Sequence, residues 1–167
     1  CPYHAWVYNL DGSLRRARRS ELIEDFCEAD IHLDAIRVET FCHLVFVNLD
    51  NDSLSLADAS GNLANEILSY APDLADLTFA HRLTYRIQAN WKTVVDNFLE
   101  CYHCAPAHRD FVDLVDMPSY RSVVHGIYSS HVSDGLPTEG NSAYELTKGD
   151  VDFSYAGWFL WPNLTIW

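Results

Sequence analysis

Residues 90–110 have the sequence NWKTVVDNFLECYHCAPAHRD, and this segment organises the rest of the chain. Its apolar residues up to Cys104 recur every three or four positions, which predicts an amphipathic helix that Asn90 caps. The predicted core stripe consists of Trp91, Val94, Val95, Phe98, Leu99 and Tyr102. The opposite face lacks the Lys and Glu pairs of an ordinary solvated helix, so it predicts a row of ligands. Its members are Asp96, Asn97, Glu100 and His103.

Two histidines in this segment, His103 and His108, are five residues apart. On an unbroken helix this spacing would separate their side chains by about 140°. Pro106 lacks the N–H that a continuing helix needs, so it is predicted to end or bend the helix and let His108 approach His103. Two imidazoles with a carboxylate and open positions form the iron site of non-heme Fe(II) oxygenases. The alternative is two histidines with no common role.

The N-terminal sequence CPYHAW contains a second pair of metal-binding residue types, Cys1 and His4. In a Rieske 2Fe–2S centre two Cys bind one iron and two His bind the other. A single C-x2-H pair is equally typical of half a zinc site. The same pair followed about a hundred residues later by NWK and E-x2-H-x4-H is much more specific, because both halves must match in order.

With these paired motifs the chain resembles, over essentially its whole length, the α subunit of Rieske-type non-heme iron ring-hydroxylating oxygenases. The resemblance implies an α+β fold in which residues 1–50 form the C-terminal half of a small all-β Rieske domain. Residues 51–167 would then begin a helix-grip (START-like) catalytic domain with an antiparallel sheet. A polar run at 50–53 marks the predicted boundary. Cys1 and His4 are implied 2Fe–2S ligands, with a Cys-x-His pair expected upstream of the chain, which does not begin with Met.

The resemblance also implies an iron site and a route for electrons. His103 and His108 match the two histidines that bind the mononuclear Fe(II), and the third ligand, a carboxylate, lies beyond residue 167 in the family. Glu100 matches a position that bridges a Rieske histidine of one subunit to an iron histidine of its neighbour, where many members have Asp. Such a bridge implies an oligomer, usually a homotrimer, because the two centres of one subunit are too far apart.

A glutamate at the bridge together with DNFLECYHC is similar to the branch of the family that acts on quaternary ammonium compounds, above all the carnitine monooxygenases. The implied protein uses O₂ and electrons from NAD(P)H, delivered by a flavin and iron–sulfur reductase, to hydroxylate its small-molecule substrate. Cleavage of the C–N bond of carnitine then releases trimethylamine. The alternatives are an aromatic-ring hydroxylating dioxygenase α subunit and a betaine- or stachydrine-type demethylase.

Aromatic faces bind cations of this kind, and aromatic residues are frequent near the end of the chain. Aromatic strands are more often plain core, so none of these residues is assigned to the substrate. The set comprises Tyr155, Trp158, Phe159, Trp161 and Trp167.

Composition restricts the function further. The formal net charge of −13 and the sequence pI near 4.7 argue against nucleic-acid binding, which requires basic residues to neutralise phosphates. No apolar run approaches the roughly 18 residues of a membrane span, so no membrane association is expected. The basic cluster at 15–19 either docks an acidic electron donor or is an ordinary solvated turn.

The cysteines form an odd set without an evident disulfide framework, which favours a reducing, bacterial-type cytoplasm. They are Cys1, Cys27, Cys42, Cys101 and Cys104. Cys101 and Cys104 flank His103, so a zinc-stabilised binding module stays open as a further alternative. A non-catalytic Rieske electron carrier is another, since the N-terminal pair alone would suffice for it.

Hydrophobic periodicity and turn residues predict the remaining elements. A hairpin is expected at 7–14 around an Asp-Gly turn, and an alternating stretch at 35–49 is expected to contain a buried strand at 42–48. A helix is expected at 61–70 and a strand at 79–88. These are followed by a short helix at 111–120, a strand at 123–132 and a polar loop at 133–150. The chain ends with an aromatic strand segment at 153–167 that Pro162 interrupts.

Overall fold

The computed structural model of the protein describes residues 1–136 and 154–167. The chain divides into two compact units, Cys1–Ser55 and Leu56–Trp167. The sequence placed its boundary five residues earlier, after residue 50, and the Rieske and catalytic identities of the two parts stay predictions here. Most of the predicted polar loop at 133–150 lies outside the described residues.

The first unit contains two small antiparallel hairpins. Strand β1 (Val7–Tyr8) pairs with β2 (Leu14–Arg16), and β3 (Arg37–Phe41) pairs with β4 (Leu44–Asn48). The predicted turn at 11–12 is present. Gly12 has a φ of 87°, which glycine adopts readily, and the Asp11 carboxylate accepts hydrogen bonds from the N–H and hydroxyl of Ser13.

The strand predicted at 42–48 is present as β4 from residue 44 onward, but its predicted burial is wrong. Cys42 and His43 have φ values of 48° and 61° and form a two-residue turn between β3 and β4. On β4 the side chains of Val45 and Val47 are 71% and 70% exposed. Alternating apolar residues indicate a strand. They did not reveal this turn, because it is formed by Cys and His and contains no glycine.

The second unit packs short helices with one antiparallel sheet. The helices are α1 (Leu56–Ser60), α2 (Leu63–Tyr70), α3 (Trp91–Phe98), α4 (Cys104–Ala107) and α5 (Arg109–Val112). The sheet has the order β5 (Arg121–His125), β6 (Tyr128–Ser133), β7 (Tyr155–Leu160) and β8 (Leu164–Ile166). The predicted α+β class with antiparallel sheets is confirmed. No helix in the described part of the chain has the length and apolar character needed to cross a membrane.

The strand predicted at 79–88 is not formed. Leu83, Tyr85 and Ile87 alternate as a strand would, but they are 60–76% exposed and no described strand pairs with them. A strand requires a hydrogen-bonding partner as well as a suitable pattern. The segment instead leads as irregular chain into α3.

A half-buried carboxylate joins α2 to one face of the sheet. Glu66 accepts hydrogen bonds from the Tyr128 hydroxyl at 2.8 Å and from Nε1 of Trp158 at 3.1 Å. Burial and the neighbouring Glu66 charge raise the pKa of Tyr128 to about 12. Leu63 and Ile67 of the same helix are almost fully buried. Trp158 is therefore a core residue, one of the aromatic residues whose role the sequence left open.

The other face of the sheet receives the end of α3. The Phe98 ring lies 5.3 Å from the His131 ring and stacks on Trp167 at 5.6 Å. Gly157, opposite His131 in the register, leaves the space that this contact needs. A Cβ there would lie 2.6 Å from the Tyr155 hydroxyl and 3.6 Å from the Phe98 ring. The contact of Phe98 with the sheet therefore sets the position at which the chain leaves α3.

We expect Glu66→Ala to lower the free energy of unfolding by about 3 kcal/mol, because it leaves two largely buried donors without an acceptor. Chemical denaturation measures the change. Asn65→Ala, an exposed position on the same helix, is the matched control and should stay within about 0.5 kcal/mol of wild type. Equal losses in both variants would contradict the role of the carboxylate.

Candidate metal centre

Helix α3 begins as predicted and ends earlier than predicted. The Asn90 side chain accepts the N–H of Lys92 at 3.0 Å and caps the helix. The last helical residue is Phe98, whereas the pattern extended to Cys104. The Glu100 carboxylate accepts the N–H of Tyr102, which in a continuing helix would bond to the Phe98 carbonyl. Tyr102 is 97% exposed, and Trp91 and Val94 are 45% and 41% exposed, so the predicted core stripe is wrong for these three residues.

Pro106 does not cause this break. It lies inside α4, whose four residues form a single turn in which a missing proline N–H costs nothing. The chain instead leaves the helix at 99–103, and His108 ends α4 with its N–H bonded to the Cys104 carbonyl at 2.8 Å. The predicted approach of the two histidines therefore occurs, for a different reason.

The imidazoles of His103 and His108 meet at their Nε2 atoms. These atoms are 3.2 Å apart, and the rings are nearly perpendicular, with centroids 5.1 Å apart and planes at 75°. Two nitrogens each about 2.1 Å from one ion and about 100° apart around it would be separated by about 3.2 Å. The pair thus has the spacing that a shared metal ion requires.

Glu100 orients the first of these two histidines. Nδ1 of His103 donates a hydrogen bond to Oε1 of Glu100 at 2.5 Å. This bond keeps the proton on Nδ1 and leaves the lone pair on Nε2, as in the carboxylate–histidine–metal arrangement. The hydrogen bond from His103 holds the pKa of Glu100 below its usual value. The Asn97 amide lies 3.5 Å from the same Nε2, so part of the predicted ligand row converges on His103.

Further ligands are not assembled in this part of the molecule. Among residues 1–136 and 154–167, no three His, Cys, Asp or Glu side chains surround one ion position. The third carboxylate ligand, which the sequence placed beyond residue 167, stays a prediction.

The two cysteines beside His103 are joined to each other. Cys101 and Cys104 form a disulfide with their Cα atoms 5.0 Å apart. The expectation of no disulfide framework is therefore wrong for this pair. The same bond argues against a zinc site on these residues, because neither sulfur is a free thiolate. The C-x2-C spacing of these residues could have indicated the disulfide, but it was interpreted only as a zinc motif.

Cys1 and His4 lie on one exposed turn. The Cys1 carbonyl accepts the Ala5 N–H at 3.0 Å, and the His4 ring contacts the Tyr3 ring at 4.0 Å. The thiol and the imidazole are both exposed. Their role as cluster ligands stays a prediction. An open groove of about 720 Å³ runs along this turn and is lined by Pro2, Tyr3, His4, Ala5, Trp6, Arg18 and Arg19.

One buried polar group beneath α3 was not identified from the sequence. His131 is 1% exposed, with Nδ1 3.0 Å from the Tyr120 hydroxyl and Nε2 2.9 Å from the Ser129 hydroxyl. Burial lowers the pKa of His131, which favours the neutral form of the ring. The alternation of Ser129, His131 and Ser133 in β6 was the available signal, because it places one polar row on a single face.

A cavity of about 330 Å³ opens on this same sheet face. Its lining is mostly apolar and includes Leu99, Ser122, Val124, Ser129, Phe159 and Trp161. Leu99 directly precedes Glu100, so the cavity adjoins the segment that carries His103 and His108.

The fold and this site define the class of protein. Residues 74–166, more than half of the chain, match the catalytic domain of the ring hydroxylating alpha subunit. The chain therefore belongs to this family, as its motifs predicted.

Comparison with individual proteins gives more detail than the family match. Over 97% of its length the chain is 38% identical to the carnitine monooxygenase oxygenase subunit of Escherichia coli K12, and it covers 42% of that protein. It is 29% identical to the chloroplastic choline monooxygenase of Beta vulgaris, covering 99% of this chain and 37% of that one. A solved quaternary ammonium Rieske monooxygenase superposes on it with a TM-score of 0.83 at 32% identity, over 99% of this chain and 44% of that chain. The chain thus spans less than half the length of these relatives.

We expect His108→Ala to weaken Fe(II) binding by more than about 100-fold in the full-length protein, since loss of supporting contacts alone costs 10- to 100-fold. Anaerobic Fe(II) titration with elemental analysis measures it. His81→Ala, which removes an exposed histidine distant in sequence from α4, should bind Fe(II) as wild type does. Unchanged affinity in His108→Ala would refute the shared site.

Proposed function

We propose that the protein carrying this chain is the oxygenase component of a two-component Rieske non-heme iron monooxygenase that hydroxylates a quaternary ammonium substrate such as carnitine. C–N cleavage then releases trimethylamine. The observation that carries the reaction class is the 3.2 Å approach of the two Nε2 atoms with Glu100 bonded behind His103. Similarity to the carnitine monooxygenase subunit supports the substrate.

The residues present fit the mononuclear iron. His103 and His108 would hold Fe(II) through Nε2, with a carboxylate from outside the described residues as third ligand. Bound iron supplies O₂ activation, which ordinary side chains cannot perform. The chain's own contribution is positional. Glu100 fixes the tautomer of His103, and Phe98 anchors the preceding helix on the sheet beneath.

Residues 1–50 are proposed as the C-terminal half of a Rieske domain, and residues 51–167 as part of a helix-grip catalytic domain. The exposed thiol of Cys1 and imidazole of His4 on one turn suit a 2Fe–2S cluster, which takes two Cys and two His ligands. The remaining Cys and His would come from an upstream Cys-x-His pair.

Glu100 is proposed as the electron bridge between subunits. Its Oε1 already contacts the iron histidine, which is one half of that bridge. Each carboxylate oxygen has two acceptor sites, so Glu100 can also accept a Rieske imidazole N–H from a neighbouring subunit. A homotrimer follows as the proposed assembly.

The proposed electron donor is a flavin and iron–sulfur reductase that oxidises NAD(P)H. Arg18 and Arg19 line the groove beside His4, which places positive charge next to a predicted cluster ligand. Opposite charges steer association of electron-transfer partners. An acidic reductase surface fits this groove, and the need for NAD(P)H favours a cytoplasmic location.

The cavity beside Leu99 is the proposed space for part of the substrate. Its volume of about 330 Å³ lies within the range of small-molecule pockets. Phe159 and Trp161 line it, so two of the aromatic residues that the sequence left open can present their faces to a quaternary ammonium group. Tyr155 instead packs against Phe111, and Trp167 against Phe98.

A substrate panel tests the function. The full-length protein with a matching reductase should consume NAD(P)H and O₂ in the presence of carnitine and form one trimethylamine per substrate consumed. γ-Butyrobetaine, glycine betaine, stachydrine, choline and simple arenes complete the panel, since similarity to choline monooxygenase makes choline the second candidate. Product from arenes alone would favour a ring-hydroxylating dioxygenase and contradict the proposal.

His103→Ala separates this function from that of a plain electron carrier. An oxygenase variant should keep the 2Fe–2S absorption spectrum and lose product formation, because only the iron site is damaged. Undiminished function in His103→Ala would favour a non-catalytic Rieske carrier.

We expect Glu100→Ala to lower product formed per reduced cluster by more than about tenfold, because the variant loses both the bridge and the orientation of His103. Stopped-flow absorbance follows the cluster, and trimethylamine analysis follows the product. Glu21→Ala, an exposed carboxylate of the first unit, is the control. Normal coupling in Glu100→Ala would refute the bridge.

A further inference from the structure

The disulfide between Cys101 and Cys104 encloses the first iron ligand. Tyr102 and His103 are the two residues between its ends, and Glu100 directly precedes it. The Cys104 N–H also donates to the Cys101 carbonyl at 3.1 Å, so backbone and side chains close the same turn. The orientation of His103 toward Glu100 is therefore held within a cross-linked loop of four residues.

The disulfide is also linked to His108, through the backbone of Cys104. Cys104 is the first residue of α4, and its carbonyl accepts the His108 N–H at 2.8 Å. His103 in turn offers its carbonyl to the Ala107 N–H at 3.0 Å. Fixing Cys104 thus fixes the short turn that carries His108. One covalent bond restrains both members of the 3.2 Å imidazole pair.

The two sulfurs differ in exposure. Cys104 is 5% exposed, whereas Cys101 is only partly covered. An external thiol can therefore attack the Cys101 sulfur while the Cys104 sulfur leaves. The spacing C-x2-C is that of dithiol–disulfide redox pairs, and disulfides in reducing compartments are usually transient and redox-sensing.

We propose that Cys101 and Cys104 form a reversible redox site, whose disulfide state holds His103 and His108 in position to bind metal and whose dithiol state releases the turn between them. The thiol chemistry is independent of the proposed oxygenase function, and only the effect on Fe(II) rests on that function.

The chemistry balances with simple reactants. In oxidation, the Cys101 thiol attacks hydrogen peroxide and becomes a sulfenic acid with loss of one water. The Cys104 thiol then displaces the second oxygen as water and forms the S–S bond, so two thiols and one peroxide give one disulfide and two waters. In reduction, a dithiol reductant attacks Cys101, Cys104 leaves and takes a proton, and the second reductant thiol completes the transfer of two electrons and two protons.

The experiment uses the wild-type full-length protein, so no variant has to fold. Samples are equilibrated anaerobically over a series of reduced to oxidised dithiothreitol ratios, alkylated, and analysed by mass spectrometry of the peptide containing residues 101–104. We expect a reversible two-electron transition. Cys27→Ser, which removes an exposed free thiol of the first unit, is the matched control and should show the same transition.

Hydrogen exchange reports the structural effect without iron. Reduction should speed amide exchange in residues 100–108 by about twentyfold, the factor by which a cross-link over a four-residue loop restricts the open chain. Exchange in β6 should not change. Anaerobic Fe(II) titration should show at least about tenfold weaker binding to the reduced protein.

The outcomes separate the two proposals. Two results would overturn the redox site even when Fe(II) binds normally. One is that Cys101 and Cys104 are alkylated at every dithiothreitol ratio, and the other is that amide exchange at 100–108 is the same in the oxidised and reduced protein. A reversible transition with faster exchange on reduction supports the redox site even when Fe(II) binds neither state, and in that case the iron site fails instead.

Discussion

The structure of the site depends on the Glu100 carboxylate, which accepts hydrogen bonds from the Tyr102 N–H and from Nδ1 of His103. The first bond takes up the N–H that a continuing helix would give to the carbonyl of Phe98, the last residue of α3. The second sets the tautomer and direction of the imidazole. One side chain therefore both supports the non-helical turn after α3 and orients the imidazole of His103. Without the break, the five-residue spacing would keep His103 and His108 on different sides of a helix.

The sheet gives this segment a fixed position. Phe98 packs over His131 and against Trp167, and Gly157 leaves the room that this contact requires. His131 is hydrogen-bonded at both ring nitrogens, so a buried polar group beneath the helix costs little. On the opposite face Glu66 binds α2 to the same strands. These contacts thus hold α2 and α3 on the two faces of the same sheet.

Sequence patterns identified the site better than they explained it. The approach of His103 and His108 was predicted from Pro106, yet Pro106 lies harmlessly within α4, and the helix ends earlier, before the turn whose Tyr102 N–H bonds to Glu100. The error has a physical origin, because a proline is visible in the sequence whereas a carboxylate that competes for a backbone N–H depends on its rotamer.

Longer-range pairings were the least predictable features. The Cys42–His43 turn required positive φ at residues that rarely adopt it, and the 79–88 pattern lacked a described partner strand. The Cys101–Cys104 bond joins Cα atoms 5.0 Å apart, and because the C-x2-C spacing is equally typical of a zinc site, the sequence pattern did not reveal the disulfide. In each case the pattern specified a local preference, and tertiary structure decided the outcome.

The most direct measurement of the central claim is electron–nuclear double resonance of the nitric oxide adduct of the mononuclear iron, in full-length protein carrying ¹⁵N-labelled histidine. Two distinct imidazole nitrogens should couple to the iron, and substitution of either His103 or His108 should leave one. A single coupled nitrogen in the wild-type protein, or two that persist in both variants, would contradict the account.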